Sequence, residues 1–81
     1  MTQKTTKVEP GREGFSFLRG WNQVPVKYAK EVKTRIMHDL DLKSRTLWYN
    51  RLYGVVEPKI TEYKTIEAIF DEYGIADVWG V

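Results

Sequence analysis

Residues 26–40 carry apolar side chains at the spacing of an amphipathic α-helix, and they form the longest periodic segment of the chain. Polar and charged residues fill the remaining positions, and Pro25 just before the segment favours a helix start. No segment alternates polar and apolar residues as a β-strand does. The sequence therefore predicts an all-α fold, in which this helix buries Ala29, Val32, Ile36, Met37 and Leu40.

The next stretch, LDLKSRTLWYNRLYG at residues 40–54, has the pattern of a turn followed by a second helix. Ser44 is a favourable N-cap, because its hydroxyl can accept a hydrogen bond from an amide of the first turn. Gly54 can adopt the left-handed conformation that ends many helices. These signals predict a helix of about nine residues, Arg45 to Tyr53, as the second helix of a helix-turn-helix.

The two sides of this second helix differ in chemistry. Helical spacing places Leu47, Trp48 and Leu52 on one side, where they are expected to join a core. A surface helix is ordinarily polar on its outer side, so the other side is also consistent with contact to solvent alone. It nevertheless carries groups that can hydrogen-bond to DNA bases or phosphates, on Arg45, Thr46, Tyr49, Asn50 and Tyr53.

The remaining segments complete one small domain. Residues 1–13 have no periodicity and contain several cations, which predicts a flexible basic arm before a single helix-turn-helix domain at 14–81. The aromatic cluster at 15–21 is expected to form a short helical turn that covers the core. After an extended loop at 55–60, Thr61 is expected to cap a helix that continues through Tyr73. The 81 residues are thus predicted to form a small bundle of four to five short helices.

Charge is unevenly distributed along the chain. The net charge is +2, but residues 1–54 hold eleven Lys and Arg against five Asp and Glu, whereas residues 55–81 hold two against six. Such asymmetry suggests that the basic part faces a polyanion and the acidic part faces away. A small basic surplus is also a common solubility device, so the pattern favours nucleic acid without requiring it.

Composition argues against several other classes of protein. The chain has no cysteine, a polar N-terminus and no long apolar run, which predicts a cytoplasmic protein without disulfides, thiolate metal sites or a membrane span. His38 with Asp39 and Asp41 lacks the ligand number and spacing of a zinc site. With a single histidine and no carboxylate pair in a recognisable pocket, the chain is not expected to be an enzyme, nor to use a metal, a cofactor or a small-molecule substrate.

From residue 33 to 75 the order of these signals resembles the Cro and repressor type of helix-turn-helix, the XRE-like family. Members have a helix ending in Leu-Gly-Val, a turn, a Ser-x-x-Thr recognition helix closed by Gly, a Pro-containing loop and a further helix with a similar ending. Here those places hold Leu40-Asp41-Leu42, Ser44 to Thr46, Gly54, Pro58 and Tyr73-Gly74-Ile75. The chain also resembles small proteins of Bacteroides and their phages that end in Tyr-Gly-Ile-x-x-Val-Trp-Gly, here residues 73–80.

The resemblance and the charge pattern predict a sequence-specific double-stranded DNA-binding protein, a transcriptional regulator of phage or mobile-element type. Arg45, Thr46, Tyr49 and Asn50 are expected to face bases, and the expected phosphate contacts are Lys33, Lys43, Ser44 and Arg51. The alternative is a protein-interaction module on the same helical scaffold. It would bind its partner through Trp21, Tyr49, Tyr53 and Trp79.

Specific binding through one short recognition helix usually requires two copies of a protein, so a homodimer is expected. Its interface is predicted at Val78 and Trp79, an apolar end that nothing later in the sequence covers. The alternative is that Trp79 folds back onto its own core between Ile66 and Phe70.

Overall fold

The computed structural model describes residues 14–81, and all regular secondary structure in that range is helical. The predicted all-α fold is therefore confirmed, while the predicted arm at residues 1–13 lies outside the described residues. The helices, in chain order, are α1 (Leu18–Trp21), α2 (Val26–Asp39), α3 (Arg45–Leu52) and α4 (Ile60–Asp71).

Helix α2 ends in a left-handed turn. The Leu42 N–H donates to the Met37 carbonyl oxygen at 2.8 Å, and the Asp41 N–H donates to the His38 carbonyl oxygen at 3.2 Å. Asp41 has a φ of 57°, a conformation that its short polar side chain tolerates better than most side chains do. Aspartate thus occupies the left-handed position of this turn.

Helix α3 begins at Arg45, as predicted. Ser44 is extended, and its Oγ accepts a hydrogen bond from the Leu47 N–H at 3.2 Å, so the predicted cap is confirmed. The helix ends at Leu52, one residue earlier than expected, and Gly54 adopts the left-handed conformation with a φ of 76°.

The buried side of α3 is narrower than expected. Trp48 and Leu52 are each 2% exposed, but Leu47 is 43% exposed, so the prediction that Leu47 joins the core was wrong. Because Trp48 and Leu52 are four residues apart, they define one narrow stripe along the helix. Leu47 lies about 100° away from Trp48 around the helix axis and falls outside that stripe.

Helix α4 begins at Ile60, so the predicted cap at Thr61 was wrong. The Lys59 N–H donates to Glu62 Oε1 at 2.9 Å, and a carboxylate in the first turn thereby satisfies the backbone amide that precedes the helix. The helix ends at Asp71, two residues earlier than predicted.

One apolar core joins α2, α3 and α4 to the segments at either end of the described chain. The predicted role of the cluster at 15–21 is confirmed, because Phe17 is fully buried and its ring packs against Trp48 with a centroid distance of 5.6 Å. The buried apolar residues are Phe17, Val32, Ile36, Leu40, Leu42, Trp48, Leu52, Ile66, Ile69, Phe70, Ile75 and Val78.

The C-terminal segment packs against the beginning of the domain. The Gly20 N–H donates to the Val78 carbonyl oxygen at 3.0 Å, and the Gly80 N–H donates to the Ser16 carbonyl oxygen at 2.8 Å. Val78 is buried, and the Trp79 ring packs on a tyrosine of α4 with a centroid distance of 4.5 Å. The chain itself therefore covers the apolar end on which the dimer interface at Val78 and Trp79 was predicted.

Candidate nucleic-acid interface

The turn between α2 and α3 is anchored in the core. Leu40 and Leu42 are buried on either side of the left-handed Asp41. Helix α3 therefore starts from a fixed point, and its own buried pair, Trp48 and Leu52, fixes its rotation about its axis. The core thus determines which side of α3 faces solvent.

The four residues predicted to face bases differ in their exposure to solvent. Arg45, Thr46 and Tyr49 are exposed, whereas Asn50 is half-buried. The Asn50 carbonyl oxygen accepts a hydrogen bond from the Val55 N–H at 2.8 Å, so the loop after the helix holds the backbone here. Asn50 is consequently the least accessible of the four.

Two exposed tyrosines, Tyr49 in α3 and Tyr53 just after its end, stack on each other. The ring centroids of Tyr49 and Tyr53 are 5.9 Å apart, and the ring planes differ by 15°. Stacking restricts the rotamers of both rings, so Tyr49 presents a more defined shape than an isolated surface tyrosine would.

Arg45 is the first residue of α3 and forms no ion pair with any residue in the range 14–81. Its neighbour Ser44 uses one lone pair for the helix cap and keeps its hydroxyl hydrogen to donate. An anion near these two residues would also be attracted by the positive end of the helix dipole. The start of α3 therefore combines a cation, a hydroxyl donor and backbone polarity.

The two lysines predicted to contact phosphates differ in accessibility. Lys43 Nζ lies 3.5 Å from Asp41 Oδ1, but both side chains are largely exposed, and such surface pairs are weak. Lys33 is half-buried, with Nζ 5.4 Å from the centre of the Trp48 ring. Lys43 is thus the more available cation, and Lys33 also contributes a cation–π contact to the fold.

Arg51 corrects the predicted set of phosphate contacts. Its guanidinium donates to both carboxylate oxygens of Glu62, at 2.7 and 3.3 Å, and each of these side chains is only 17% exposed. A cation already neutralised at this depth is not presented to a phosphate, so Arg51 joins α3 to α4 instead. The partners are eleven residues apart, and no helical spacing in the sequence links them.

The environment of Glu62 lowers the pKa of its carboxyl group. Burial alone would raise that pKa, but the hydrogen bonds from the Lys59 N–H and from Arg51 outweigh burial, and the net pKa lies below the ordinary value of 4.5. The folded state therefore favours the ionised carboxylate, and folding is coupled to its ionisation.

We expect the Glu62→Gln variant to lose less stability than the wild type when the pH is lowered. A depressed pKa gives stabilisation that is present above pH 4.5 and disappears as the pH falls through the folded-state value. The substitution should therefore cost about 1–2 kcal/mol near neutral pH and progressively less at low pH. Urea unfolding across a pH series measures this difference, with Asp71→Asn, at the exposed end of α4, as the control. A constant difference between wild type and Glu62→Gln at every pH would contradict the assignment.

The asymmetry of charge along the chain is partly removed by folding. Three arginines of the basic half form ion pairs with carboxylates of the acidic half, so the acidic half does not simply face away from the basic one. Among them, Arg35 donates two hydrogen bonds of 2.8 Å to the Glu72 carboxylate. The pairs are Arg19 with Asp77, Arg35 with Glu72, and Arg51 with Glu62.

The described residues were also compared with what a metal site and a membrane-spanning helix require. Within residues 14–81, no group of three or more His, Asp or Glu side chains is placed to hold a metal ion. None of the helices described is long and apolar enough to cross a membrane.

Comparison with known proteins found no matching family model, no matching curated protein and no matching solved structure. The resemblance to the XRE-like family therefore stays a prediction from the order of the sequence signals.

Proposed function

We propose that this protein binds double-stranded DNA sequence-specifically, as a transcriptional regulator of phage or mobile-element type. One observation carries the proposal: α3 buries Trp48 and Leu52 while it leaves Arg45, Thr46 and Tyr49 exposed to solvent. An α-helix with its side chains is about 10–12 Å across, which matches the roughly 12 Å width of the major groove.

The exposed groups have the chemistry of base readout. The guanidinium of Arg45 can donate two hydrogen bonds to O6 and N7 of guanine, and the amide of Asn50 can pair with N6 and N7 of adenine. Thr46 can hydrogen-bond to a base or pack its methyl group on thymine. Because Arg45 begins α3 and Asn50 lies five residues later, we expect Arg45 to reach bases more readily than the half-buried Asn50.

Phosphate contacts would orient α3 in the groove without reading sequence. Lys43 and Ser44 immediately precede the helix, where a cation, a hydroxyl donor and the helix dipole act in the same direction. Lys33 would add a third contact, whereas Arg51 would contribute indirectly by holding α3 against α4.

A protein-interaction module remains the alternative function. Two of the four aromatics proposed for it are partly buried against the core: the Trp21 ring centroid lies 5.2 Å from that of Trp48, and Trp79 packs on α4 and donates from Nε1 to Glu67 Oε2 at 2.7 Å. Only the stacked pair, Tyr49 and Tyr53, remains exposed. Tyr49 is also proposed to face bases, so the two functions compete for this residue.

We expect binding to nonspecific duplex DNA to weaken steeply as salt increases. Each neutralised phosphate contributes a slope of about −0.9 to the plot of log affinity against log salt concentration, and a few accessible cations predict a slope of roughly −2 to −4 per chain. Fluorescence anisotropy of a labelled duplex measures this slope. Lys43→Ala should reduce its magnitude by about 1 and weaken all sequences alike.

Lys64→Ala is the matched control, because Lys64 is an exposed lysine on the acidic helix α4. It should leave the slope unchanged. A flat salt response of the wild-type protein, or no binding at low salt, would contradict DNA binding and favour the protein-interaction module.

A further inference from the structure

Residues 53–60 expose a concentration of apolar side chains at the end of α3 and the start of α4. Tyr53 and Val55 are half exposed, Val56 is slightly less so, and Ile60 is 74% exposed. Four of the nine large apolar side chains that are exposed in residues 14–81 therefore lie within eight consecutive residues, and such a concentration is typical of an interaction surface.

The backbone that carries these side chains is held in place. The Val55 N–H bonds to the Asn50 carbonyl oxygen at 2.8 Å, Pro58 is buried, and the Lys59 N–H bonds to Glu62. These contacts hold the loop that carries the exposed apolar side chains at three points. The apolar side chains form a surface of defined shape, which is what a specific interface requires.

Two opposite charges accompany the apolar residues. Glu57 and Lys59 are both exposed, and neither forms an ion pair within the described part of the chain. An interface between two copies related by a two-fold axis must be self-complementary, because the same patch meets itself in the opposite direction. A patch with one acid and one base two residues apart meets that condition, since Glu57 can face the partner's Lys59 while Lys59 faces the partner's Glu57.

We propose that residues 53–60 form the contact between two copies of this chain. The patch begins at the C-terminal end of α3, so the two-fold axis would pass near the ends of both copies of that helix. The patch spans eight residues, fewer than the roughly 20–30 residues per side of a standard interface, so the dimer is expected to be weak, with a dissociation constant of about 10–1000 μM. The interface does not depend on the proposed DNA binding.

Reversal of the two charges tests the contact. Glu57→Lys would place two lysines opposite each other, and Lys59→Glu would place two glutamates opposite each other. Each single variant should raise the dimer dissociation constant by at least about tenfold in sedimentation equilibrium. An equimolar mixture of the two variants restores both pairs and should dimerise about as well as the wild type. Circular dichroism of each variant shows whether it is folded.

A matched pair of substitutions tests the apolar part. Ile60→Lys should abolish dimerisation, whereas Val26→Lys should not, because Val26 is 93% exposed but lies at the start of α2, outside the patch. A wild-type chain that stays monomeric at millimolar concentration would overturn the proposed interface. Loss of dimer with Val26→Lys, or a variant mixture that remains monomeric, would overturn it equally. Because sedimentation is measured without DNA, these outcomes are independent of whether the protein binds DNA.

Discussion

Trp48→Ala is expected to destabilise the domain by about 3–5 kcal/mol, the usual range for removing a large buried aromatic side chain. Trp48 is 2% exposed, and its ring packs on Phe17 and Trp21 with centroid distances of 5.6 and 5.2 Å. The loss is comparable with the whole stability of a domain of this size, about 4–12 kcal/mol. Much of the variant population should therefore be unfolded, which urea titration followed by circular dichroism would show.

Leu47→Ala is the control for this effect, because it removes the neighbouring apolar side chain of the same helix. Leu47 is 43% exposed, so its truncation should cost below about 1 kcal/mol. Comparable losses of stability for the two variants would mean that Leu47 faces the core as Trp48 does. The assignment of residues of α3 to DNA contact would then also be wrong.

Arg45→Ala is expected to weaken binding to the best DNA site by about 1–3 kcal/mol, or roughly 5- to 150-fold. Arg45 is exposed at the start of α3 and has no ion-pair partner among residues 14–81, so its removal should not affect folding. The loss should be confined to sites that carry the base pair contacted by the guanidinium. Binding to unrelated duplexes should change much less.

Lys43→Ala provides the contrast for Arg45→Ala. A phosphate contact carries no sequence information, so Lys43→Ala should weaken specific and unrelated duplexes by the same factor. Competition titrations with both kinds of duplex measure the two factors for each variant. Equal losses on every sequence for Arg45→Ala as well would show that Arg45 contacts only the backbone.

The sequence predicted features that depend on local chemistry. Ser44 caps α3 because a hydroxyl one residue before a helix can reach the amides of its first turn, whatever else the chain does. The Asp41 turn and Gly54 are likewise local, since their conformations follow from φ preferences. Helix α2 was predicted well because its apolar spacing extends over four turns.

The sequence did not predict features that depend on how the helices pack. Arg51 appeared to be a surface cation until α4 placed Glu62 beside it. Leu47 was assigned to the core because it was grouped with Trp48 and Leu52 on one side of the helix, but only Trp48 and Leu52 are buried. Thr61 was expected to cap α4, but the helix already begins at Ile60. The Glu62 carboxylate in its first turn accepts a hydrogen bond from the Lys59 N–H.

Selection from a pool of random duplexes tests sequence-specific reading by α3 most directly. The wild-type protein and Arg45→Ala would be carried through the same rounds, and the recovered duplexes sequenced. We expect the wild type to enrich a short motif containing a guanine position, and Arg45→Ala to lose the preference at that position while keeping the others. No enrichment by the wild type, or an identical motif from both proteins, would contradict the assignment of α3 as the helix that reads DNA.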